Sequence, residues 1–294
     1  MKKSADHFQR IGLVGNAEKS ACAQSVRAAA RLIQRAGRQV ICDHTTAQHA
    51  RLKCETAPNT AELARTADLI LVFGGDGTML HAARQIAGSR TPMLGVNIGS
   101  LGFLTAVPSE ELAAALKQVW SGEYKFETRA LIEATGVCYK KKVRAVALND
   151  LVITRGAVSR LIVLDVSVNG ELITRYRCDG LILSSPTGST AYSLAAGGAI
   201  VLPTADVFAL TPICPHALSN RSIILPLSST IKVKAINPEP AAFLNADGQI
   251  VGELDADDEI TIRRSRHSVR LMRLANGSFL EAMRRKLHWR GTYL

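Results

Sequence analysis

Residues 68–88 read DLILVFGGDGTMLHAARQIAG, and they decide the first half of the fold. The apolar run Leu69–Phe73 ends in Gly74, Gly75, Asp76 and Gly77, and helical spacing begins at Thr78. A short apolar run bounded by glycines predicts a buried strand, and the segment after it predicts a helix. The turn between them poses a problem of sign. Its glycines let backbone amides approach a ligand closely, and the helix behind them favours an anion at its N-terminus. Gly74, Gly75, Gly77 and Thr78 therefore form a candidate phosphate loop. Asp76, in the same turn, repels phosphate. It must be solvated, be neutralised by a metal, or face a hydroxyl. Facing a hydroxyl suggests phosphoryl transfer, with the carboxylate accepting or orienting the proton of an attacking alcohol. The plain alternative is a tight turn in which Asp76 caps the helix. The local pattern weighs the two equally.

Working outward, strands are expected at RIGLVGN, QVICDH and TPMLGVNI, and helices at Lys19–Arg38, around AELARTA, and at PSEELAAALKQVWSG with Ser109 as cap. Strands separated by helices of this length predict a parallel, Rossmann-like sheet covered on both faces. In such sheets ligands bind beyond the carboxyl ends of the strands. GGDGT and the glycine-broken NIGSLGFL, 97–104, both project there. The chain contains neither GxxxxGK[ST] nor GxGxxG at that turn, so neither a P-loop nor a dehydrogenase-type cofactor site is supported.

After Gly122 the segments become β-rich, with hairpin signals at VNGE, 168–171, and ADGQ, 246–249. The expected organisation is an α/β domain over 1–122 and a mainly antiparallel β domain over 123–275. A tail, 276–294, returns to the first domain. The scattered cysteines and histidines lack metal-ligand spacing, which argues against a structural zinc site. No apolar stretch approaches the ~18 residues of a membrane span, and the N-terminus does not read as a secretory signal, so a cytoplasmic protein without membrane contact is expected. The net charge of +11 suits polyanionic partners. With 5% aromatics, none interleaved with the basic residues, nucleic-acid binding is not expected.

A second motif, SSPTGSTAYSLAAGG at 184–198, sets seven hydroxyl side chains around Gly188 at a helix start. Hydroxyls and free amides there suit uncharged contacts to sugars, amides and phosphates. Asn149 and Asp150 form a third candidate pair. Neighbours on a strand point to opposite faces, so they share a ligand only if the chain turns. Arg177 and Asp179, two apart, are expected to face the same way. Arg160 accompanies them, and His216 lies in a loop held by two prolines.

Together LVFGGDGTML, GVNIGSLGFL, LNDLVI, RYRCDGLILSSPTGSTAYSLAAGG, PICPHALSNRSIILP and NADGQ resemble the NAD kinase family, in the family's order, across roughly residues 70–250. GGDGT alone is shared with lipid kinases; its combination with TGSTAYS is specific. The resemblance implies phosphorylation of the 2′-hydroxyl of the adenosine ribose of NAD by ATP, with polyphosphate as an alternative donor. It implies a divalent metal, magnesium, with no protein ligand assigned, and a homodimer or homotetramer built on the β domain. Asp76 would be the base or orienting carboxylate, beside Gly75 and Gly77. Asn149 and Asp150 would hold the adenosine, which favours a turn at that pair. Thr190, Ala191, Tyr192 and Ser193 would line the adenine and nicotinamide pockets, with Ala195 beside them. Arg177 and Asp179 would serve the nicotinamide half across a subunit interface, and Arg160, His216 and Gln249 would complete the site. The family often carries a serine at the position of Ala195 and a glutamate at that of Asp150. A lipid kinase, or a non-catalytic NADP(H)-binding regulator, is the competing reading. The lipid kinase lacks a membrane-binding helix here, and the regulator would be expected to lack Asp76.

Overall fold

A parallel sheet carries the GGDGT turn. A computed structural model of the chain describes residues 8–16, 20–99, 102–105, 107–157, 160–217, 219–236, 241–274 and 278–289. Within them the chain forms two units, 8–128 with 269–289, and 129–268.

The first unit runs β1 (Arg10–Gly15), α1 (Ser20–Arg35), β2 (Gln39–Asp43), α2 (His44–Ala50), β3 (Glu55–Ala57), α3 (Thr60–Thr66), β4 (Leu69–Gly74), α4 (Asp76–Gln85), β5 (Met93–Asn97), β6 (Val107–Pro108) and α5 (Leu112–Ser121). All their pairings are parallel. Every residue of β4 and β5 is buried, as expected of central strands covered on both faces. The strand order reverses between β1 and β4, so the crevice at their carboxyl ends is the topological switch point where α/β sheets bind ligands. Gly15 and the GGDGT turn both sit at that crevice. In α1 the buried Val26, Ala29, Ala30 and Ile33 keep the expected spacing, and Gly37 ends the helical run with φ of +73°.

Four local details depart from expectation. The short strands β3 and β6 lie where no strand is expected. The helix α2 was not anticipated; Asp43 nucleates it by accepting the Thr46 amide at 2.7 Å. Ser109 does not cap α5. It opens a short 3-10 turn, Ser109–Glu111, and its hydroxyl bonds Glu110 instead.

The second unit is antiparallel. β7 (Tyr124–Cys138) enters it and pairs β8 (Lys141–Ala147). β9 (Asp150–Arg155), β10 (Ile162–Val168), β11 (Glu171–Cys178), β12 (Gly180–Ser184), α6 (Tyr192–Ala195), β13 (Val207–Ile213), β14 (Ile223–Pro226), β15 (Ile231–Ala235), β16 (Ala242–Ala246), β17 (Gln249–Leu254) and β18 (Glu259–Leu274) follow. One sheet has the order β14-β13-β12-β9-β16-β17, and β11-β10-β15-β18 form a second run. Alternate residues of both, such as Leu151 and Leu181 from the first and Leu164 and Val233 from the second, share one core. Both hairpin signals are realised. Asn169-Gly170 and Asp247-Gly248 are two-residue loops with positive φ at both positions, the form whose twist suits adjacent strands. The last strand, β18, ends in the first unit, where Leu271 pairs Met93, and α7 (Phe279–Lys286) follows it there.

Candidate active site

Asp76 is the first residue of α4, while Gly75 occupies the cap position with no side-chain cap bond. The capping alternative therefore fails. The carboxylate turns to the loop after β5, accepting the amide hydrogens of Phe103 at 2.9 Å and Leu104 at 3.0 Å. Two amides leave part of a carboxylate's acceptor capacity open, and the side chain keeps 30% of its exposure.

The loop is itself braced. The Thr105 hydroxyl accepts from the Gly102 amide at 3.1 Å, and a Cβ on Gly95 of β5 would meet the Thr105 Cα at 2.9 Å. Gly102 admits Asp76 only because it lacks a side chain; a Cβ there would fall 1.9 Å from Asp76 Oδ1. Gly74 makes room in the same way for Thr78, whose Oγ1 would lie 2.2 Å from an added Cβ. Phe103 is held from its far side too. Its carbonyl accepts from Arg273 Nη2 at 2.9 Å, and its ring lies 6.0 Å from that of Phe279 on α7.

In the second unit Asn149 and Asp150 do lie at a turn, and the cause is Asp247. Its carboxylate accepts the amides of Leu148, Asn149 and Asp150 at 3.0, 2.8 and 3.2 Å, and its own amide donates to the Asp150 carbonyl. Asp150 is buried, and burial together with the adjacent Asp247 charge raises its pKa to about 7. The loop after β12 closes on the same turn. Ser185 donates its amide to the Asn149 carbonyl at 2.8 Å, and a Cβ on Gly188 would meet that carbonyl oxygen at 2.2 Å. Gln249, exposed, starts β17 in the hairpin that carries Asp247.

The hydroxyl-rich segment divides by burial. Ser184, Ser185, Ser189 and Ser193 are fully buried, and each bonds neighbouring protein groups. Ser193 Oγ lies 3.1 Å from Thr211 Oγ1, so its hydroxyl organises the loop. Thr190 and Ala191 are half-buried, and Tyr192 and Ala195 are exposed. Hydroxyl density thus marks a tightly folded loop, with a smaller set of outward residues.

Arg177, Asp179 and His216 gather elsewhere. Asp179 follows the end of β11 and pairs with Arg155 at 2.6 Å, so it does not continue the strand on which a shared face with Arg177 is expected. The His216 amide donates to the Arg177 carbonyl at 2.8 Å. In the β9–β12 register Asp150 faces Ser184, whereas Thr154 faces Gly180. The two clusters therefore occupy opposite ends of one strand pair, roughly 13 Å of strand apart. Arg160 is exposed in the loop between β9 and β10.

Two family models match the chain, the ATP-NAD kinase N-terminal domain over residues 11–124 and the ATP-NAD kinase C-terminal domain over residues 148–274. An NAD kinase of Methylibium petroleiphilum is 38% identical over 293 residues, 97% of this chain and 96% of that one. The chain belongs to the NAD kinase family. Among solved structures it is similar to yeast NADH kinase complexed with NADH, with a TM-score of 0.89, 27% identity, and 98% of this chain and 90% of that chain covered. It is also similar to an NAD kinase from Archaeoglobus fulgidus in complex with ATP, with a TM-score of 0.76, 25% identity, and 96% and 100% covered.

On this NAD kinase scaffold, three residues that sequence reasoning passed over support those it named. Asp247 sets the Asn149–Asp150 turn, Phe103 orients Asp76, and Arg273 holds Phe103. Asp247 had a signal, the Asp-Gly hairpin, but that signal speaks for turn geometry and not for a carboxylate reaching back 98 residues. Among the described residues no three His, Cys, Asp or Glu side chains gather at one point, and no helix is long and apolar enough to cross a membrane.

Proposed function

We propose that this protein is an NAD kinase in activity as in family, transferring the terminal phosphoryl group of ATP to the 2′-hydroxyl of the adenosine ribose of NAD. The observation that carries the reading is the Asp76 carboxylate, held by two amides in a glycine turn at a helix N-terminus, within a chain matched by both family models. The named ligands of the two similar structures, NADH and ATP, support the same pair of substrate classes here.

The ribose oxygen attacks the γ-phosphorus, the bond from that phosphorus to the β-phosphate oxygen breaks, and ADP leaves. The hydroxyl proton passes to, or is oriented by, Asp76. Transfer of this kind needs placement and charge compensation more than covalent chemistry. The α4 amides and the open glycine backbone serve the phosphates. The Asn149–Asp150 turn is assigned to the adenosine, with Thr190, Ala191, Tyr192, Ala195 and Gln249 beside it.

Magnesium fits a donor set of this kind. It keeps most of its shell as water and phosphate oxygens and needs one or two carboxylates at most, and Asp76 retains open acceptor positions. When bound it would neutralise phosphate charge. Arg177, Asp179 and His216, at the far end of β9 and β12, are assigned to the nicotinamide half of a partner subunit's substrate, which makes the working form a homodimer or homotetramer. All six cysteines are free thiols, which suits the reducing cytoplasm. Incubation with magnesium-ATP and, in separate reactions, NAD, NADH or diacylglycerol decides the class. NADP formation is expected; product from the lipid alone, or tight NADP binding without turnover, overturns the reading.

A further inference from the structure

A third group beside Asp76, after the Phe103 and Leu104 amides, comes from α7. Ser278 caps α7 by accepting the Glu281 amide at 3.0 Å, and a Glu281–Arg285 pair at 2.7 Å braces the helix. Phe279 and Lys286 are seven residues apart, two helical turns, and so lie on one face. That face meets Phe103 at both ends. The Phe279 ring packs at one side, and Lys286 Nζ stands 4.7 Å from the Phe103 ring centroid. The same ammonium lies 3.9 Å from Asp76 Oδ2 and is 31% exposed. One lysine thus stands within ion-pair range of the carboxylate and over the ring of the residue whose amide orients it.

We propose that Lys286 is a positioning residue for phosphoryl transfer. Its ammonium compensates the Asp76 carboxylate as the ATP phosphates arrive, and its seat over the Phe103 ring helps keep the orienting amide in place. This answers the problem of sign in the GGDGT turn. A bare carboxylate would oppose the triphosphate, whereas one paired with a cation on its outer side does so far less. The cation–π contact gives the lysine a fixed seat. The proposal rests on the role assigned to Asp76.

The test is a kinetic cycle on the full chain with magnesium-ATP and NAD, using Lys286→Met, Lys286→Arg, Asp76→Asn and the Asp76→Asn/Lys286→Met double variant. Methionine keeps the apolar stem and removes the charge. Lys286→Met is expected to lower kcat by roughly tenfold or more while KM for NAD moves by less than about threefold, and Lys286→Arg to recover most of the rate. In the Asp76→Asn background the methionine is expected to change the residual rate by less than about twofold, because the charge it removes acts through Asp76. Wild-type kcat in Lys286→Met overturns the proposal. So do losses that multiply in the double variant, or an arginine variant no better than methionine with both melting early. Near wild-type turnover of Asp76→Asn alone removes the carboxylate's role and the proposal with it, and absence of NADP from the unaltered protein rejects the kinase reading itself.

Discussion

The Asp247 carboxylate binds the amide of Asp150 at 3.2 Å, and its charge, added to burial, helps keep the Asp150 carboxyl protonated up to about pH 7. The consequence for stability has a definite sign. Between about pH 4 and pH 7 the folded chain retains a proton that the unfolded chain has released. The contribution of Asp150 to stability is therefore full below about pH 4 and declines as pH rises toward 7. Asp150→Asn removes the decline. Its stability relative to the parent should rise by about 2 kcal/mol between pH 4 and pH 8, well below the full value of the shift because a buried site relaxes around a charge. Urea unfolding at the two pH values measures the difference.

Asp247→Ala should be costly for a separate reason. It leaves the amides of Leu148, Asn149 and Asp150 without their acceptor and places alanine at φ of +47°. The expected loss is about 2–4 kcal/mol, with weaker NAD binding. Asp247→Asn keeps one acceptor oxygen and tolerates that φ, so it should lose less. Thermal unfolding and NAD titration of the two variants test the ranking.

Gly188→Ala tests how closely the two loops of the second unit must approach. The added Cβ meets the carbonyl oxygen, carbon and Cα of Asn149, all backbone, and that backbone is pinned by Asp247. No flexible side chain can yield. A loss of about 2 kcal/mol or more is expected, together with a raised KM for NAD. Unfolding at the parent's midpoint with unchanged KM would show that the turn has slack.

Much of this architecture is legible in the sequence, and the limits have physical causes. Periodicity and glycine placement announce β4, α4 and both hairpins, because those signals are local. Strands alternating with helices announce a parallel sheet, but the order β3-β2-β1-β4-β5 and its reversal between β1 and β4 are seen only in the structure. The sealed serines read as ligand groups because hydroxyl content does not reveal burial. Ser193 and Thr190 differ by three residues, yet one is fully enclosed and the other half-exposed. Asp247, Arg273 and Lys286 act over separations of 98, 170 and 210 residues, which no local pattern encodes. The expected shared face of Arg177 and Asp179 requires a strand through both, but β11 ends at Cys178, where the chain turns into β12.

Asp76→Asn is the most direct test of the chemistry, and the structure says how to read it. The carboxamide offers one acceptor oxygen where the carboxylate offers two, and its amino group would face the Leu104 or Phe103 amide donor to donor. The substitution therefore removes the proton acceptor and also loosens the loop after β5. Turnover should fall by roughly 10²–10⁴-fold with KM for NAD little changed. Gly102→Ala separates the two effects. It leaves the carboxylate intact but drives a methyl group to within 1.9 Å of Asp76 Oδ1 and 2.5 Å of Thr105 Oγ1. If orientation is what the loop supplies, Gly102→Ala also loses kcat, by a smaller factor than Asp76→Asn, and keeps its affinity for NAD. If Gly102→Ala turns over like the parent while Asp76→Asn is inactive, proton acceptance alone explains the aspartate, and the clamp formed by Phe103 and Leu104 has no part in the rate.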